Sequence, residues 1–171
     1  MLGSTLALRE APRDVVLEAV RVWRLALNYA LDFFKRDHAL VLEAVRRHGG
    51  AIACAHQVPE EEDRKVVLEA VCQDGEALQY ASDDLKQDRE IVLEAVRQDG
   101  WALQYAHDQR KMDREIVLEA VRNDGAALKF AHDDLKHDRA LVLEAVRQDG
   151  WALQYAHDQR KMDREIVLEA V

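Results

Sequence analysis

Cysteine, proline, glycine and aromatic side chains are all scarce in this chain of 171 residues, and each scarcity removes a class of structure. Two cysteines, Cys54 and Cys72, make no CxxC pair and no disulfide framework, so an intracellular reducing compartment, cytoplasmic or organellar, is expected. Two prolines and seven glycines leave long uninterrupted stretches, which favours helix. Aromatics at 6%, with β-branched runs no longer than Val-Val or Ile-Val, argue against a sheet. No apolar run approaches the ~18 residues of a membrane span, so no direct membrane insertion is expected. Met1–Glu10 lacks the basic flank and apolar stretch of a signal peptide. Positive charge is also in deficit: 24 Lys and Arg against 33 Asp and Glu give a net charge of -9. Such a chain repels phosphate backbones and anionic bilayers, so no nucleic acid is expected among its partners.

What the chain has in abundance is itself. Asp88–Met112 reads DREIVLEAVRQDGWALQYAHDQRKM, and Asp138–Met162 repeats it with two changes. Further copies of this 25-residue unit open at Asp63 and Asp113. Another opens at Asp37 and carries one extra residue around Pro59; a degenerate one opens at Pro12, and a half copy runs from Asp163 to Val171. Val92–Val121 is identical to Val142–Val171, and copies with and without tryptophan alternate, so the recent duplication involved a pair of units, 50 residues long. The chain is divided into an N-terminal extension, 1–11, and one repeat domain, 12–171.

Each copy reads as helix, turn, shorter helix. Asp88 suits an N-cap, and Glu90 suits the positive end of the helix dipole. Ile91, Val92, Leu93, Ala95 and Val96 cover most of the helix circumference, leaving a narrow stripe of Glu90, Glu94, Arg97 and Gln98. Asp99-Gly100 predicts a stop, with Gly100 as a left-handed C-terminal residue. A second helix is expected over Trp101–His107 and a turn over Asp108–Met112. One such unit cannot bury its own apolar face, so an all-α solenoid of about six stacked two-helix repeats follows, the first copy serving as a cap. The period is shorter than tetratricopeptide, ankyrin and armadillo units, and the LxxLxLxxN strand of leucine-rich repeats is absent.

The DREIVLEAVRQDG…ALQYA signature, clearest at 93–106, 118–131 and 143–156, resembles the tandem repeats of the domain of unknown function 4116 family over Pro12–Val171. The resemblance implies the helical-repeat fold and brings no activity, cofactor or catalytic residue with it. Arg24 at the glycine position, Gly50 after Gly49, and Cys54 in the Tyr/Phe column depart from the pattern and mark the first two copies as an adapted cap.

Glu18, Glu43, Glu69, Glu94, Glu119, Glu144 and Glu169 recur as a ladder. Catalysis would need a second, differently tuned carboxylate beside them; a solvated stripe paired with arginines three residues on needs nothing more. His56, His107, His132 and His157 share a column with Ser82. Stacking at roughly 10 Å per helix would hold these imidazoles too far apart for one ion. The Asp-Gly steps lack the ligand series of a calcium loop, and Ser4, Thr5 and Ser82 are the only hydroxyls a catalytic triad could draw on. No catalytic, cofactor or metal residue is therefore assigned, and no cofactor and no enzymatic activity are expected. The alternative is a metal-binding protein or enzyme using the His and Glu columns.

Trp101 and Trp151 stand in a column that elsewhere holds Leu25, Gly50, Glu76 and Ala126, so it is not deep core. They either anchor a protein partner or pack into the groove between repeats. Trp23, one column earlier, belongs with the cap. Cys54, replacing an aromatic, reads as an inert buried thiol, and Cys72, in an arginine column, as an exposed one. Ile166, Val167 and Val171 form an apolar face with no glycine stop, a candidate docking end, since solenoids need polar caps. The function expected from this reading is a non-enzymatic scaffold or adaptor for protein partners, as an accessory or peripheral subunit of a larger assembly.

Overall fold

The computed structural model describes residues 11–23, 26–30, 34–54 and 60–171. The expectations for the extension before Ala11, for His56, for the extra residue near Pro59 and for the Cys54 side chain lie outside them. Every regular element among the described residues is helical, with no strand among them. One ten-residue α-helix opens most copies: α1 (Arg13–Val22), α2 (His38–Arg47), α4 (Arg89–Gln98), α5 (Arg114–Asn123) and α6 (Arg139–Gln148). Between them α3 (Glu60–Gln73) is longer, and α7 (Arg164–Glu169) is shorter. The predicted N-caps form. Asp88 accepts from Glu90 N–H at 2.9 Å and Ile91 N–H at 3.2 Å, and Asp113, Asp138 and Asp163 do the same. Pro12 has no side-chain oxygen to offer, so α1 starts without such a cap, as a degenerate first copy should.

The expected second helix is a 3₁₀ helix in five copies, at Gly49–Cys54, Gly75–Tyr80, Gly100–Tyr105, Gly125–Phe130 and Gly150–Tyr155, and one α-helical turn, Ala26–Tyr29, in the first. Three residues per turn align Gly100, Leu103 and Ala106 along one edge, and all three are buried. An α-helix would swing the third of these away from the core. The segment after it, expected as a turn, is one α-helical turn, Asp108–Lys111.

The role of the glycine also needs correcting. No left-handed residue ends α4: Asp99 is extended, at φ -146° and ψ 114°, donates its N–H to Ala95 O at 2.9 Å, and accepts from Trp101 N–H with its carboxylate. Gly100 is required for a different reason. A Cβ there would lie 2.5 Å from the Ala120 carbonyl oxygen in the next copy. The same backbone contact recurs at Gly49 against Ala70, Gly75 against Ala95, Gly125 against Ala145 and Gly150 against Ala170. Each glycine is the point where one repeat rests on the next.

The result is two parallel layers. Each of α3 to α6 packs on the following α-helix and on the 3₁₀ segments of its own and the preceding copy. Ile91, Val92, Ala95 and Val96 are completely buried, as are their counterparts in α5. Their i, i+1, i+4, i+5 spacing makes a stripe wide enough to meet both layers at once. Burying each valine or isoleucine contributes about 1.5–3 kcal/mol. The apolar interior therefore supplies the cohesion.

Polar contacts set the register between copies. Arg64, Arg89 and Arg139 each reach the N-cap aspartate 24 residues on, at 2.8, 3.1 and 2.9 Å, and also the glutamate two residues beyond that cap. Arg13 and Arg114 reach their N-cap aspartates at 2.6 Å. A second ladder joins the LEAV glutamates to the preceding copy: Arg97 to Glu119, Arg122 to Glu144 and Arg147 to Glu169.

Candidate functional site

The surface that distinguishes one copy from another is the junction around the tryptophan column. At Trp101 the junction is filled. The indole Nε1–H donates to Asp124 Oδ2 at 2.7 Å, and the ring meets Phe130 edge-on at 5.2 Å. Beneath it, Asn123 accepts from Gly100 N–H and donates to the Arg97 carbonyl, both at 2.9 Å, closing the C-terminal end of α4 onto the next copy. His132 N–H donates to Lys111 O at 3.0 Å, and Arg114 holds Asp138. Trp101 keeps 37% of its surface exposed.

Trp151 N–H is held by the Asp149 carboxylate as that of Trp101 is by Asp99, but among the described residues its indole makes no hydrogen bond or ring contact across the junction. Trp151 is 80% exposed. Beside it, Leu153, Val167, Ala170 and Val171 line an open apolar groove. Of the three residues expected at the docking end, Val171 is exposed and Val167 half-buried in this groove, whereas Ile166 is fully buried and belongs to the core. Met162 and Leu168, which the sequence reading did not single out, are 84% and 65% exposed, and Met112, the counterpart of Met162, is exposed as well. Leu168 is the counterpart of the half-buried Leu93 and Leu118.

The remaining columns are occupied locally. His107, His132 and His157 cap the short α-helical turns: each Nδ1 accepts an N–H two residues on, at 3.2–3.3 Å. His157 also stacks on His137 at 3.6 Å between ring centres. Among the described residues no group of three or more His, Cys, Asp or Glu is placed to hold a metal ion. Glu119 is shared between Arg122 in its own helix and Arg97 in the preceding one, so the glutamate column is tied into the arginine ladder rather than left as a free stripe. The recurrence of arginine after the N-cap aspartates 88, 113, 138 and 163 is the sequence signal that could have shown the first ladder.

Cys72 is exposed and interrupts the second ladder, standing where other copies carry arginine. Burial, followed by the nearby carboxylates of Glu94 and Glu69, pushes its thiol pKa up, so the reactive thiolate is disfavoured. Cys72→Arg should therefore raise the urea midpoint, by the equivalent of roughly 0.5 kcal/mol, because it places a guanidinium between two carboxylates. An unchanged midpoint would show that the ladder adds nothing measurable.

The family model described as domain of unknown function DUF4116 matches residues 63–110, 113–159 and 138–171. No curated protein and no solved structure matches the chain.

Proposed function

The chain belongs to the DUF4116 family of tandem repeats, and from that premise we propose that it is a non-enzymatic protein–protein interaction module, a scaffold or adaptor within a larger assembly. The observation that carries this reading is the exposure of Tyr80 and Trp101 on successive 3₁₀ segments of the stack. Exposed aromatic side chains are the usual anchors of a contact site. The histidine and glutamate columns favour the same reading, since their polar atoms serve as caps and ladder rungs.

The test is affinity capture from the native source, with wild-type chain and a Tyr80→Ala/Trp101→Ala variant, both checked for equal helicity. The expected result is a partner retained by wild type and lost by the double variant. Capture that is indifferent to the double variant would remove this aromatic surface from the site. Capture of nothing by either would count against an interaction module altogether.

A further inference from the structure

The aromatic face of the 3₁₀ layer, on which that reading and this inference both rest, is not the same at every junction. At one junction the chain fills the place itself: the flat Trp101 indole donates its N–H to Asp124 Oδ2 in the next copy and meets the Phe130 ring edge-on. The two preceding junctions repeat the aspartate and the ring without the indole. In the nearer, Glu76 stands in the tryptophan column, and Asp99 and Tyr105 are the counterparts of Asp124 and Phe130. In the farther, the column holds Gly50, where an added Cβ would lie 3.8 Å from Asp74 Oδ2, and the ring is Tyr80. Asp74 and Asp99 each use one carboxylate oxygen on a local N–H, of Glu76 and of Trp101. Among the described residues, their Oδ2 atoms and the Glu76 carboxylate make no hydrogen bond or ion pair. Tyr80 is half exposed and Tyr105 half-buried. Burial, followed by the carboxylates of Glu76 and Asp99, pushes the Tyr105 phenol pKa up, so this ring lies in a field of negative charge. A cation already rests by one ring of the layer, with Lys129 Nζ 5.6 Å from the centre of Phe130.

We propose that these two junctions bind a protein partner through a pair of arginines, one guanidinium lying on Tyr105 and donating to Glu76 and Asp99, the other lying on Tyr80 and donating to Asp74. The indole of Trp101 shows what the place accepts: a flat group with an N–H directed at the aspartate. A guanidinium has both features and adds the positive charge that three carboxylates call for, whereas an ammonium has the charge without the plane. Spacing narrows the partner further. Packed helices lie roughly 8–10 Å apart, so the two places are about one such step from each other. A polyproline-II segment sets residues i and i+3 on one side, about 9 Å apart. The segment recognised is therefore an extended Arg-x-x-Arg, whose backbone is already ordered before it binds.

The probe is the blocked peptide Pro-Pro-Arg-Pro-Pro-Arg-Pro-Pro, titrated into the full chain with its tyrosine rings labelled with carbon-13 and followed by NMR. Tyr80→Phe and Tyr105→Phe identify the two signals. Both are expected to move saturably, at one peptide per chain, while Tyr29, stacked on Trp23, stays still. The same peptide with lysine in place of arginine should bind about fivefold more weakly or worse. So should the chain with Asp99→Asn, a change that keeps an oxygen to cap the Trp101 N–H. Glu76→Trp should close the nearer place as Trp101 closes its own, abolishing the Tyr105 shift without lowering the urea midpoint. Signals that stay still at millimolar arginine peptide overturn the proposal, as do equal binding of the lysine peptide and undiminished binding to the folded Glu76→Trp chain. A partner captured through Tyr80 and Trp101 alongside a silent peptide would leave the interaction module standing and remove only the recognition of arginine.

Discussion

Gly100→Ala is expected to cost about 2–3 kcal/mol, the upper range for forcing extra volume into a packed interface. The new Cβ would sit 2.5 Å from a backbone carbonyl oxygen, Ala120 O, and 3.1 Å from the Asp124 N. Neither can rotate away as a side chain would, so α5 must shift relative to α4 and the burial on both sides must loosen. A comparison within the same chain isolates the cause. A Cβ at Gly50 would meet only Asp74 Oδ2, at 3.8 Å, so Gly50→Ala should leave stability nearly unchanged. Urea midpoints of the two variants decide the matter. Equal midpoints would mean that the close approach is not what Gly100 provides, and that a turn conformation, as the sequence alone suggested, has to be reconsidered. Because repeats in solenoids are coupled through their interfaces, a fault at this central junction should also broaden the transition.

The second large effect is acid destabilisation centred on the N-cap aspartates. At Asp37, Asp138 and Asp163 the hydrogen bond from the preceding copy's arginine holds the carboxyl below its ordinary pKa, with backbone N–H bonds adding to it. At Asp88 burial pushes the other way, and Arg64 with the Ile91 and Glu90 N–H groups outweighs it. These groups bind protons less readily folded than unfolded. The stability they contribute is complete above the unfolded carboxylate value, near pH 4, and is lost as pH falls through their lower folded values. Asp63 acts in the opposite sense: burial raises its pKa, so its share is present below the unfolded value and lost as pH rises through the folded one. These four lowered cap carboxylates, with Asp133 lowered too by its hydrogen bond from Lys136, outweigh the one raised at Asp63, and the net effect is a loss of stability as pH falls below about 4. Asp138→Ala should cost about 1–2 kcal/mol at pH 7, from a lost cap and a lost arginine contact, and should reduce the further loss as pH falls below about 4. A variant with the wild-type acid slope would show that the cap column is not the titrating element.

The legibility of this chain from its sequence was uneven, for physical reasons. Asp88, Asp113, Asp138 and Asp163 were readable as N-caps because capping is local: the carboxylate meets N–H groups two and three residues away. The buried stripe of Ile91, Val92, Ala95 and Val96 was readable because helical period and burial are coupled. The 3₁₀ form of Gly100–Tyr105 was not readable, since six residues hold too little periodicity to separate three per turn from 3.6.

By itself, then, the sequence determined the period, the helical class, the caps and the apolar stripe, all of which depend on contacts a few residues apart. Tertiary structure decided what passes between copies. Arg89 finds Asp113 at a separation of 24 residues, and Trp101 finds Asp124 at 23, only once stacking has brought successive units into register. The same stacking turns one residue type into two surfaces: Trp101 lies against Phe130, while Trp151, identical in its local sequence, stands exposed. Exposure is a property of the neighbour across the junction, and only the folded arrangement says where that neighbour is.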